Sequence, residues 1–173
     1  MTELRTPRLL LRPASSSDAP AFALAVGEFA VARYLTALPW PYTLAMAIDW
    51  LRQAPSATAE RAIFIIELAG GDGLVGCITL ADELGFWVAR RYWNRGYATE
   101  AATAVLDWRF AACAEPVTAT ARRNNHASLA VQRKLGFVAV GEEMRYSHAL
   151  QRNVRHVVSR LEASAWRARE RAA

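Results

Sequence analysis

Three short apolar runs in the middle of this chain, residues 62–68, 74–80 and 84–89, follow one another and lead directly into a helical pattern. The first two are joined by Gly70-Gly71-Asp72-Gly73, a hairpin turn, and hairpins make neighbouring strands antiparallel. From Gly96 to Ala112 the spacing of Ala101, Val105, Trp108 and Ala112, with Ala98, Ala102 and Leu106 beside them, is helical. The flanks repeat both kinds of pattern. Residues 8–12 read as a strand closed by Pro13, and Ser17 or Asp18 caps a helix to Ala32 with Phe22, Ala25, Val26 and Phe29 on one face. Pro39-Trp40-Pro41 breaks the chain, Thr43 caps a second helix to Gln53, and residues 55–60 form a loop. After Pro116 come a strand to Ala121, a polar turn at residues 122–125, and a helix from His126 to Leu135 closed by Gly136. Residues 137–146 and 154–161 make a strand pair, and a helical tail begins at Glu162. This order predicts an α/β fold with a mixed, mainly antiparallel central sheet flanked by helices.

A chain of 173 residues without internal repeats or a low-complexity linker is expected to form one domain, residues 1–173, with 162–173 as a basic tail. The apolar share of 53% fits a folded soluble protein, and no apolar run is long enough to span a bilayer. The first residues lack the apolar segment of a signal peptide, which predicts a cytoplasmic location. Cys77 and Cys113 match no paired redox or metal motif and read as reduced core thiols. His126, His148 and His156 have no metal-ligand spacing, so no metal is expected. The net charge of +5 is carried by arginine, Lys134 being the only lysine. It permits an anionic ligand, but the arginines are scattered, and Arg167, Arg169 and Arg171 suit a solvated helix end better than a nucleic-acid arm.

The strand-to-helix junction is the best functional clue. Residues 92–100 read Tyr-Trp-Asn-Arg-Gly-Tyr-Ala-Thr-Glu. Helix N-terminal amides have no intrahelical acceptors and lie at the positive end of the macrodipole, so a phosphate placed there meets donors and a favourable field. Gly96 allows close backbone approach, Ala98 adds little bulk, and Glu100 is a carboxylate in the first turn, where the dipole favours it. A glycine before a helix is also an ordinary turn.

Four ordered segments resemble the GCN5-related N-acetyltransferase (GNAT) superfamily, in particular the branch containing ribosomal-protein N-terminal acetyltransferases. They are residues 4–13, 83–88 and 92–101, and the pair Asn125-His126-Ala127-Ser128 and Lys134-Leu135-Gly136-Phe137. The resemblance implies acetyl-coenzyme A as donor, with its pyrophosphate on amides of roughly Arg95 to Thr99, hence Arg95, Gly96, Tyr97, Ala98 and Thr99. Trp93 and Asn94 belong to the same loop. It implies further that the pantetheine arm lies beside the strand carrying Phe86, Trp87 and Val88, in the manner of an added strand, and that Asn125 holds the arm or its own turn. One departure lies inside the loop. Asn94 stands where the family often has glycine, and asparagine tolerates positive φ better than other non-glycine residues.

Acetyl transfer to an amine requires loss of an ammonium proton, stabilisation of a developing oxyanion and departure of a thiolate. By resemblance, an amide near Trp87 or Val88 is the oxyanion donor. The resemblance also implies Ser128 as the acid for the sulfur, because this branch has a serine at the corresponding position as a proposed acid; many relatives instead use a tyrosine one helical turn later, where this chain holds Gln132, which cannot donate a proton as an acid, and water is the alternative. Glu83, just before the thioester strand, is the candidate base, directly or through water, although a solvated strand-end carboxylate reads the same way. Trp40, in the stretch where relatives shape the acceptor pocket, is the candidate substrate contact. The acceptor implied is a primary amine on a small molecule or a protein N-terminus, with no nucleic acid or membrane partner and with the protein as monomer or homodimer. The competing reading is a non-catalytic coenzyme A-binding regulatory module, which Asn94 and Gln132 favour.

Overall fold

The computed structural model describes residues 2–54, 57–71 and 73–170. Five strands form the first sheet in sequence order, each antiparallel to the next: β1 (Leu4–Arg5), β2 (Leu9–Pro13), β3 (Ala62–Leu68), β4 (Leu74–Leu80) and β5 (Leu84–Val88). Three more, β6 (Val117–Arg122), β7 (Val138–Ser147) and β8 (Arg152–Leu161), form a second sheet in the order β6-β8-β7, also antiparallel. The helices are α1 (Ala19–Val26), α2 (Phe29–Ala32), α3 (Leu44–Arg52), α4 (Tyr97–Ala112), α5 (His126–Leu135) and α6 (Ala163–Glu170). The α/β class with a mainly antiparallel sheet is thus observed. What the residue pattern left open is that the sheet comes in two parts. β5 and β6 are neighbours in space but share no ladder.

Strand alternation explains the two cores. Successive side chains of a strand point to opposite faces. Phe64, Ile66 and Ile78 pack with Ala101, Val105 and Leu106 of α4, whereas Ile65 and Cys77 pack with Phe22 and Val26 of α1 and Leu51 of α3. The first sheet is therefore covered on both faces. The strip buried on α4 is mostly alanine, valine and leucine, which lets the helix lie close to the strands.

Local differences from the expected boundaries have simple causes. Ser15 caps a 3₁₀ turn ahead of α1, and the Asp18 carboxylate accepts from the Ser15 amide, so the capping box starts earlier than Ser17. The predicted single helix to Ala32 is two helices. The chain bends after Gly27, and Phe29 leaves the core face to pack on Trp40. Cys77 is buried, but Cys113 is only half-buried beyond the end of α4. The tail is docked by Trp166, which is 2% exposed and donates to Asp107 Oδ1 at 2.9 Å. Asp72 of the hairpin turn, Pro55 and Ser56 of the loop and Arg171 of the tail lie outside the described residues.

Candidate functional site

The junction between β5 and α4 is built as an open set of amides. Asn94 and Gly96 both adopt left-handed backbone, φ 60° and 79°, and Gly96 is the N-terminal cap of α4. Asparagine is the non-glycine residue that reaches this region at least cost. Within the described residues no hydrogen bond is found from the backbone amides of Asn94, Arg95, Gly96, Tyr97, Ala98 or Thr99, and the first bond of the helix runs from Glu100 N to Gly96 O at 3.1 Å. Arg90, Arg91 and Arg95 stand around this turn, stacked on Trp93, Tyr92 and Tyr92 respectively. These amides and cations fit a pyrophosphate.

A clamp absent from the sequence reading holds the loop. Glu100 accepts from Thr6 Oγ1 at 2.6 Å, from Arg8 N at 3.0 Å and from Arg8 Nε at 2.7 Å, and Arg8 Nη1 donates to Arg95 O at 3.0 Å. Burial raises the Glu100 pKa, but the bonds from Thr6 and Arg8 outweigh it and hold the carboxyl below its usual range. Glu100 therefore does more than complement the helix dipole: it ties the β1–β2 turn to the base of the loop.

The β4–β5 ladder decides which amides of β5 are free. Trp87 lies opposite Cys77, and Ala89 N donates to Val75 O at 2.8 Å. Antiparallel alternation then turns the N–H groups of Phe86 and Val88 away from β4, toward the unpaired edge facing β6. The Val88 carbonyl, on that same edge, accepts from Trp93 Nε1 at 2.7 Å. Trp93 thus braces the strand end. Phe86 and Val88 side chains rest on the core beneath α4, while Trp87 points to the other face and meets Phe22 edge-on, ring centroids 5.1 Å apart.

Ser128 and Asn125 sit at the start of α5. Asn125 Oδ1 caps the helix by accepting from Ser128 N at 3.2 Å, which is the turn-holding role; its side-chain NH₂ has no protein partner among the described residues. The Ser128 hydroxyl is half-buried and likewise makes no hydrogen bond there, although a serine inside a helix commonly bonds back to a carbonyl of the preceding turn. One turn on, Gln132 is 2% exposed, and its Oε1 has no partner among the described residues.

Glu83 lies at the other end of the β5–β6 gap. Its carboxylate accepts from both terminal nitrogens of Arg145 on β7, Nη1 at 3.0 Å, and from Thr120 Oγ1 of β6 at 2.9 Å. Burial pushes its pKa up, but Arg145 and then Thr120 more than offset this and leave it lowered. Glu83 is thus a half-buried, bridged carboxylate and not a solvated strand-end charge. Arg145 lies 62 positions from Glu83 in sequence, and only strand register brings the two together. Trp40 is 44% exposed, packs on Phe29 with centroids 4.9 Å apart and donates from Nε1 to Gly27 O at 3.0 Å. Among the described residues no group of His, Cys, Asp and Glu is placed to hold a metal ion, and no helix is long and apolar enough to cross a membrane.

The family model of the acetyltransferase (GNAT) domain matches residues 8–138. A GNAT-family acetyltransferase from Bacillus anthracis superposes with TM-score 0.80 at 23% identity, covering 94% of this chain and 99% of that one. The ribosomal-protein-S5-alanine acetyltransferase from Vibrio fischeri gives TM-score 0.77 at 18% identity, over 96% and 99% of the two chains. RimJ from Mycobacterium smegmatis, solved in complex with CoA-disulfide, gives 0.77 at 24% identity over 94% and 87%. At these identities the structural likeness speaks for the fold alone.

Proposed function

The chain belongs to the GNAT acetyltransferase family and is an acetyl-CoA-dependent acyltransferase, and from this premise we propose that it acetylates a primary amine by direct attack within a ternary complex. The observation that carries the reading is two sets of backbone amides without partners among the described residues, those of residues 94–99 and those of Phe86 and Val88 on the edge of β5 that faces β6. Those groups fit the two ends of one elongated donor. The pyrophosphate belongs on the amides of Arg95, Gly96, Tyr97, Ala98 and Thr99, flanked by Trp93 and Asn94, and the pantetheine arm along Phe86 and Val88 near the Asn125 side-chain amide.

Bound there, acetyl-coenzyme A supplies the thioester whose acetyl group is transferred. The Val88 amide, rather than Trp87, is the strand donor turned toward the gap, and it suits the developing oxyanion. The Ser128 hydroxyl, without a hydrogen-bond partner among the described residues, suits donation to the departing sulfur. Glu83, ionised at neutral pH, attracts the acceptor ammonium and takes its proton directly or through water. Trp40, exposed and stacked on Phe29, is the proposed acceptor contact. A small-molecule amine and a protein N-terminus share this chemistry.

Two measurements test the reading. Acetyl-coenzyme A should raise the melting temperature by mass action, and an amine and peptide panel should release free coenzyme A thiol. Stabilisation without release from any acceptor would favour the regulatory coenzyme A-binding module instead.

The pH profile tests Glu83. A base works only when deprotonated, and the lowered pKa keeps Glu83 ionised down to acid pH, so kcat/KM should hold its value from neutral pH into the acid range. Arg145→Gln removes the largest lowering influence and leaves the raising effect of burial, so the acid limb should move to higher pH. Glu83→Gln should remove that limb and lower the rate. An unaltered profile in both variants excludes Glu83 as the base.

A further inference from the structure

The polar face of the second sheet carries more positive charge than the chain neutralises. Thr120 and Arg122 are two apart on β6, and Arg122 is paired in register with His156 on β8. Strand alternation therefore puts Arg122 and His156 on the face that presents Thr120 to Glu83. Arg152, four residues before His156, shares this face, and so does Ser147, its register partner on β7. The loop after α2 lies against them. Thr36 Oγ1 is 2.9 Å from His156 Nε2, and Arg122 Nη1 donates to the Arg33 carbonyl.

Arg122 is 5% exposed, yet that carbonyl is its only hydrogen-bond acceptor among the described residues. None of the ion pairs there includes Arg33, Arg122 or Arg152. The Tyr34 ring has the guanidinium of Arg33 at 5.0 Å and that of Arg122 at 5.4 Å from its centroid. Burial, then the charges of Arg33 and Arg152, push the Arg122 pKa below its usual value, as befits a cation without a counter-ion. The buried Ser147 hydroxyl has no partner among the described residues either. A buried charge is costly unless paired. With Nη1 engaged, Arg122 keeps Nε and Nη2 free, the edge that grips a carboxylate through two parallel bonds.

We infer that Arg122, with Arg33 and Tyr34, forms an acceptor subsite for a carboxylate close to the reacting amine. This rests on the amine-acetylation reading above. The subsite lies about 7 Å along β6 from Thr120, the residue that holds Glu83. The carboxylate is either the α-carboxylate of a free amino acid or an acidic side chain next to a peptide N-terminus.

The experiment uses two matched pairs, alanine against alaninamide and Ala-Asp-Ala-Ala-amide against Ala-Asn-Ala-Ala-amide. Thiol release gives kcat/KM, and calorimetry with coenzyme A present gives the affinity of each N-acetylated product without relying on turnover. The acidic member of one pair should be preferred by about tenfold or more, and the pair identifies the source of the carboxylate. Arg122→Gln should bring that ratio close to one. Arg33→Gln should reduce it while preserving the melting temperature, since the Arg33 backbone carbonyl still receives Arg122. Equal affinities within both pairs, or a preference surviving in both variants, overturns the subsite. A calorimetric preference without thiol release keeps the subsite and removes the acetylation reading.

Discussion

Gly76→Ala is expected to destabilise the protein by about 3 kcal/mol and to remove acetyl transfer. A Cβ on Gly76 would lie 2.2 Å from Trp87 O, 3.0 Å from Val88 Cα and 3.1 Å from Trp87 C. These are backbone atoms of β5, so no rotamer change relieves the overlap. The strand must move away from β4, and the Val88 amide moves with it. For a domain of this size the loss corresponds to roughly 6–12 °C in melting temperature. Gly70→Ala is the control, because nothing lies within 4 Å of its added Cβ. A Gly76→Ala protein that melts and turns over like the parent would show that β5 has slack this structure does not contain.

Ser128→Ala is expected to lower kcat by about 100-fold, the lower end of what a positioned acid contributes, with acetyl-coenzyme A affinity nearly unchanged. The hydroxyl makes no protein hydrogen bond among the described residues, and the bond to Asn125 uses the Ser128 backbone N–H, which alanine keeps. Folding should therefore be almost unaffected. This separates a chemical role from a structural one. Calorimetry for the cofactor and single-turnover rates for the chemistry read the two effects independently. Parental turnover in Ser128→Ala would leave water as the proton source for the sulfur.

Asn94 shows how one residue is legible at two levels. It stands where the family that the sequence resembles often has glycine, a difference that bears on backbone conformation. The backbone takes φ 60° there, in the region asparagine tolerates. Gln132 works the other way. It looks like a lost catalytic group in the sequence, and in the structure it is a buried amide with an unpartnered oxygen one turn from Ser128. For the candidate base, the carboxylate itself was visible in the residue pattern, but its ionisation was not. Glu83 draws its partners from β6 and β7, and both lie far along the chain.

Local chemistry is what the sequence by itself determined: the strand runs, the hairpin, the helix starts at Thr43 and His126, the glycine stop at Gly136 and the amide-rich turn at Gly96. Each depends on side-chain period, capping groups or backbone freedom within a few residues. The tertiary structure alone decided that β5 and β6 separate, that Thr6 and Arg8 lock Glu100, that Arg145 and Thr120 hold Glu83, and that Arg33 and Arg122 meet around Tyr34. These depend on register and packing between distant segments. A charged side chain reads the same in sequence whether it faces water or another charge, and only the folded chain sets which of the two it meets.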